Sequence, residues 1–166
     1  MTIFDGMEKI TAQEIHNRIH DLLNERLRVM DKLDAFAELV AEAKELGHDP
    51  SEYEANREVA EQDVRDFERD KLPELEMLQK LLDGCTKHDW GFELGDGVLV
   101  KEEHMPEYIK GMVTNTMKSC QLICPASLPD NIAIDWDETF KNIIKDYTTI
   151  DFGGRWYKIY NPQEEI

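Results

Sequence analysis

LPDNIAIDWDETFKNIIKDYTTIDFGGRWYKIY, residues 128–160, decides the fold of this chain. Leu128-Pro129 ends whatever precedes it, because the residue before a proline is pushed out of the α region. Asp135 is placed to cap a helix, and Glu138 three residues on gives a capping-box spacing. Trp136, Phe140, Ile143 and Ile144 then share one helical face. Asp146-Tyr147 closes that helix, and residues 148–152 are β-branched and aromatic, as a strand requires. Gly153-Gly154 is a two-residue hairpin turn that tolerates positive φ, and residues 155–160 form the return strand. A helix followed by a β-hairpin is expected to bury Trp136, Phe140, Ile150 and Phe152 together.

Upstream of this stretch, residues 97–100 read as a short strand. Residues 105–118 read as a helix with Tyr108, Ile109, Met112, Val113 and Met117 on its inner side, and 120–129 as an irregular crossover. Residues 85–96 form a linker with two aromatics to bury, Trp90 and Phe92. Before the linker the chain is helical. Thr11-Ala-Gln-Glu14 is a capping box. Ile15, Ile19, Leu22, Val29, Leu33, Phe36, Val40 and Ala43 follow at steps of three and four, with Arg26 in one core slot. Leu23, Leu27, Met30 and Leu39 widen that stripe, so the helix is expected to pack against more than one neighbour. Gly47 ends it as a left-handed cap. Asp49 caps the next helix, with Pro50 at its first position. Tyr53, Ala60, Val64, Phe67 and Leu72 give that helix a sparse apolar stripe.

The short link makes the two helices an antiparallel hairpin, on the order of 40–50 Å long at ~1.5 Å per residue. Pro73 either kinks the second helix or starts a third through Leu75, Leu78, Leu81 and Leu82, with Gly84 as the stop. The lead-in, residues 1–10, is expected to pack through Ile3, Phe4 and Ile10, and residues 161–166 form an acidic tail. The class is α+β: an N-terminal antiparallel helical hairpin, coiled-coil-like, over residues 1–84, then a small C-terminal α/β unit with a β-hairpin over 85–166.

A chain of 166 residues is long enough to bury a core. Its 36 acidic residues against 19 basic ones give a formal charge of -17. A field of that sign repels phosphate backbones and attracts basic surfaces, including the DNA channels of nucleases and methyltransferases. No secretory signal opens the chain, and no stretch approaches the ~20 apolar residues of a membrane span. Three cysteines, an odd number, fit a reducing cytoplasm.

His16 and His20, four apart on one helix, could ligate a metal, but no glutamate stands between them as in a zincin, and an edge-of-interface role competes. Cys85-x-x-His88 with Cys120-x-x-x-Cys124 could supply four zinc ligands, or the cysteines could simply pack. No motif places a base beside a nucleophile, and no glycine-rich loop cradles phosphate, so neither an enzyme nor a cofactor is expected. The acids carry more. Ten acids stand against four bases between residues 50 and 76. Glu54, Glu58, Glu61, Asp66 and Glu68 are the candidate contacts there, with Glu61 pairing to Arg65 at four residues' distance. Asp137, Glu138, Asp146 and Asp151 form a second group, and Asp135 is a cap. Either set could equally be a solvated face.

Ile-Asp-Trp-Asp-Glu-Thr-Phe (134–140), the apolar pair Ile143-Ile144, Asp146-Tyr147-Thr148, and Gly153-Gly154 before an aromatic strand resemble the C-terminal end of ArdA-type antirestriction proteins of phages and plasmids. They are similar also to small phage proteins that join such an ending to a helical N-terminus, with a line like Gly97-Val-Leu-Val and a tyrosine-containing helix ahead of it. The resemblance begins near Gly97; residues 1–85 lie outside it, and the three-domain ArdA layout is absent. It implies an inhibitor that occupies the DNA- or RNA-binding groove of a bacterial defence protein, a restriction–modification complex or a CRISPR effector. A different expectation rests on Leu23, Leu27 and Met30: a helical-hairpin interaction or scaffold protein, homodimeric through that stripe.

Overall fold

The computed structural model describes residues 3–4, 6–89, 91–119 and 134–161. The chain divides into two compact units: Glu14–Leu81, and Met1–Gln13 joined with Leu82–Ile166. The class is α+β, with long N-terminal helices and a C-terminal antiparallel sheet.

In the first unit, α1 (Ala12–Glu45) and α2 (Ser51–Asp70) form an antiparallel hairpin, and α3 (Leu72–Thr86) enters it from the other end. Of the apolar repeat of α1, Ile15, Ile19, Leu22, Val40 and Ala43 are at most 9% exposed, while Val29, Leu33 and Phe36 in its middle are half-buried. Ala60 and Phe67 of α2 and Leu75, Leu78 and Leu81 of α3 are the other buried side chains of this unit. Gly47 closes α1 at φ 70°, and the His48 N–H reaches back to Ala43 O at 2.8 Å. The Asp49 carboxylate accepts from the Ser51 N–H at 3.0 Å, while Pro50 O starts the α2 ladder by accepting from the Glu54 N–H at 2.9 Å. A bond from the Ser51 hydroxyl first, and then the one from its N–H, hold the Asp49 carboxyl below its usual range. Pro73 does separate two helices, with the break at Lys71. Gly84 is not a stop, since α3 runs through it to Thr86. Leu23, Leu27, Met30 and Leu39, expected to pack, are 40%, 59%, 39% and 37% exposed, and Tyr53 is 37% exposed.

The second unit is a four-stranded antiparallel sheet in the order β1-β2-β4-β3: β1 (Lys9–Thr11), β2 (Val98–Lys101), β3 (Tyr147–Phe152) and β4 (Arg155–Tyr160). The β3–β4 turn matches expectation, with Gly153 and Gly154 at φ 60° and 75° and Phe152 paired to Arg155. The lead-in is a strand, because Ile10 pairs with Leu99 of β2, so these residues belong with the sheet; Phe4 and Ile10 are buried, whereas Ile3 is 59% exposed.

The two faces of this sheet divide the aromatics. Residues of one strand alternate sides, so Tyr147 and Val100 face one way and Ile150, Phe152, Tyr157 and Ile159 the other. On the first side, α5 (Met105–Ser119) and α6 (Trp136–Ile143) build a core of Val100, Met105 and Ile109 with Tyr108, Phe140, Ile144 and Tyr147 around it. On the second, Phe152 meets the rings of Phe4 at 6.5 Å and Tyr157 at 6.3 Å. Trp136 and Phe140 therefore do not join Ile150 and Phe152 in one cluster, because α6 lies on the other face of the hairpin it precedes. Asp135 caps α6 as expected, accepting the Glu138 N–H at 3.0 Å. Between the units' shared helix end and β2, the short helix α4 (Gly91–Leu94) buries Phe92 completely. Trp90, the 120–129 crossover with Cys120 and Cys124, and Asp130 lie outside the described residues, as does the tail beyond Asn161.

Candidate functional site: the acidic faces

The carboxylate surplus is shared by both units: 19 acids against 10 bases in residues 14–81, and 17 against 9 in the rest. The candidate acids of α2 are Glu54, Glu58, Glu61, Asp66 and Glu68. Glu54, Glu58, Glu61 and Glu68 fall at steps of four, three and seven, so they share one line along the helix, with Arg65 inside it. On a 3.6-residue helix Glu58 lies roughly opposite Ala60 and Phe67, the buried side of α2, while Glu54, Glu61 and Glu68 lie about 80–140° round from them. Asp66 lies off that line. It lines a groove of about 390 Å³ between α1 and α2, beside Asp63, Asp70, Lys32 and Lys71, where acids and bases nearly balance.

Ion pairs reduce the ridge. Of the ten acids between residues 50 and 76, six are paired: Glu54 with Lys44 at 2.8 Å, Glu61 with Arg57 at 2.9 Å, Asp63 with Lys32 at 2.7 Å, Asp66 with Arg69 at 3.2 Å, Asp70 with Arg69 at 2.7 Å, and Glu74 with Arg18 at 2.8 Å. Arg65, the expected partner of Glu61, stands farther off at 3.9 Å. Among the described residues, Glu52, Glu58, Glu68 and Glu76 are left without an ion pair, and Glu58 and Glu68 are exposed on the outward line.

Three of these contacts tie α1 to α2 and α3, Arg18–Glu74, Lys32–Asp63 and Lys44–Glu54, and a fourth, Glu25–Lys71, ties it to the residue between them. Arg18, Glu25 and Lys32 are seven residues apart, the spacing of one flank of a coiled-coil seam, and that heptad was the available signal for them. Arg18–Glu74 is the most enclosed, with the guanidinium donating through Nε at 3.0 Å and Nη2 at 2.8 Å; the bond to Glu74 first, and its charge, raise the Arg18 pKa against the opposing effect of burial. At the open end of α2, the Asp70 carboxyl is held below its usual range by the bond from Arg69.

In the sheet unit the candidates separate by role. Asp151 is a turn residue, its carboxylate accepting the Gly154 N–H at 3.0 Å. Glu138 accepts from Asn142 Nδ2 at 3.3 Å. Asp146 sits in the 3-10 turn before β3, where its backbone carbonyl accepts the Asn161 N–H at 2.6 Å. Asp137 is exposed in the first turn of α6 and borders a groove of about 570 Å³ between α5 and α6, floored by Ile109, Trp136 and Phe140. Lys110 Nζ stands 5.4 Å from the Trp136 ring in the same groove, a cation–π contact no sequence spacing announced.

Cys85 is fully buried on α3, and burial first, then Asp89, pushes its thiol up to about 12; His88 beside it in sequence is exposed. Among the described residues no three His, Cys, Asp or Glu side chains converge as a metal site, and no helix is long and apolar enough to cross a membrane. His20 bonds Asn24 on its own helix at 3.1 Å. Comparison with protein-family models, curated proteins and solved structures finds no match to this chain.

Proposed function

We propose that this protein is a non-catalytic inhibitor that binds a bacterial nucleic-acid-binding defence protein, a restriction–modification complex or a CRISPR effector, by presenting carboxylates where that protein expects phosphates. The observation that carries this reading is the outward line of α2: Glu58 and Glu68, exposed and without counter-ions among the described residues, on a helix braced by interhelical ion pairs, in a chain of charge -17. Stiffness matters because a preorganised charge loses little entropy on binding. The field also speeds encounter with a basic groove. Asp137 and Asp146 add exposed or half-exposed charge on the sheet unit.

Co-purification from a host carrying restriction and CRISPR systems tests it. The wild-type chain should retain a nucleic-acid-binding complex that duplex DNA or RNA elutes. Variants Glu58→Lys, Glu61→Lys, Asp137→Lys and Asp146→Lys should retain it progressively less. Retention unaffected by those changes, or by competing nucleic acid, refutes the reading.

A further inference from the structure

We propose that α1 carries a second coiled-coil seam, and that its occupant is a second copy of this chain with the two α1 helices antiparallel. The first seam is consumed inside the hairpin. One residue further round, about 100° away on the helix, Leu23, Leu27 and Met30 recur at steps of four and three and stand 40%, 59% and 39% exposed. The same alternation of fours and threes extends back through His20 to His16 and forward through Asp34 to Ala37 and Ala41. His16, His20 and Asp34 limit its apolar part to Leu23, Leu27 and Met30 with Ala37 and Ala41 beyond; three large apolar side chains at heptad spacing make a short packing surface for another helix, and no part of the first unit's described core covers it.

Charge selects the occupant. Two chains of -17 repel wherever their acidic faces meet. Residues 15–30 are an exception, with Arg18, Arg26 and Arg28 against Asp21 and Glu25. Residues 31–45 hold five acids, Asp31, Asp34, Glu38, Glu42 and Glu45, against Lys32 and Lys44. A basic partner is drawn to the acid-rich faces and away from the stripe, whereas a second copy can approach only there. A parallel arrangement would set Asp34 against Asp34 and the two acid-rich halves side by side. An antiparallel register centred between Leu23 and Leu27 stacks Leu23 on the other copy's Leu27, places Met30 against His20, and keeps the two acid-rich halves apart. The pairing is isologous, so it closes at two copies.

This inference does not depend on the inhibitor reading, and salt separates them: screening relieves the repulsion between two acidic copies and so tightens the dimer, while it weakens capture of a basic enzyme. Sedimentation equilibrium of the full chain at low and high salt should give twice the 19.4 kDa chain mass, with tighter association at high salt. Leu27→Glu should raise the dissociation constant at least tenfold with helix content unchanged by circular dichroism. Val59→Glu, at a 57% exposed site on α2, should leave it unaltered. For orientation, Leu23→Cys and Leu27→Cys chains, both with Cys120 and Cys124 changed to serine, are mixed and oxidised. The expected product is the mixed 23–27 disulfide. A chain that stays monomeric at ~100 µM at both salts, a dimer indifferent to Leu27→Glu, or cross-links formed chiefly between like positions overturns the proposal.

Discussion

Among the described residues Arg18 and Glu74 form the most enclosed interhelical pair, their side chains 24% and 10% exposed. A bidentate, charge-assisted pair in that setting is worth more than an open one, and removing one partner strands the other. Glu74→Gln should therefore lower hairpin stability by about 1–3 kcal/mol in urea denaturation. Lys44→Ala, at a pair 57% and 45% exposed, should change it by no more than ~0.5 kcal/mol. Cys85 and Tyr147 are expected to weaken the sheet unit at alkaline pH. Burial raises both to about 12, from 9.0 and 10.0, so each is neutral in the folded state over a range where it ionises in the unfolded chain. Their contribution is whole below pH 9 and drains as pH rises from there through about 12. Far-UV circular dichroism against pH should show unfolding begin in that interval, and in a chain with Cys120 and Cys124 replaced, Cys85 should resist thiol reagents until it does.

Local signals built the long helices, α6 and the β3–β4 hairpin, and these were readable, whereas α4 fell within residues that read as a linker. The Asp135 cap, the apolar face of α6 and the Gly153-Gly154 turn all act within a few residues. What could not be read depends on partners distant in sequence. β1 is three residues long and exists because Ile10 finds Leu99; nothing within residues 1–13 announces that pairing. The split of Trp136 and Phe140 from Phe152 follows from which side of the sheet α6 reaches, a tertiary choice that periodicity does not encode. Gly84 read as a stop, yet a glycine ends a helix only where the chain turns left-handed, and α3 continues past it. Glycine has its sharpest role at Gly97, where a Cβ would stand 2.0 Å from the Phe92 ring. Gly97→Ala should cost about 1–3 kcal/mol or more by overpacking. Gly111 meets nothing within 4 Å and lies inside α5, so Gly111→Ala should stabilise by ~0.5–1 kcal/mol. Thermal melts of the two variants should move in opposite directions.

Taken over the full chain, the charge was legible as a total but its presentation was not. Composition gives -17; the structure shows Glu54 paired across the hairpin and Glu61 and Asp66 paired within α2, while Glu58 and Glu68 have no ion pair among the described residues. Glu58→Lys with Glu68→Lys should consequently weaken partner capture more than the same reversal at Asp63 and Asp66, which lie on the balanced groove. Direct displacement tests the polyanion mechanism most sharply. Labelled duplex DNA bound to a purified restriction–modification complex, or guide-loaded CRISPR effector, is titrated with this protein at rising salt and followed by fluorescence polarisation. Displacement should occur, and the concentration needed should rise tenfold or more between ~50 and ~300 mM salt. Displacement that is insensitive to salt, or that survives reversal of Glu58 and Glu68, contradicts it.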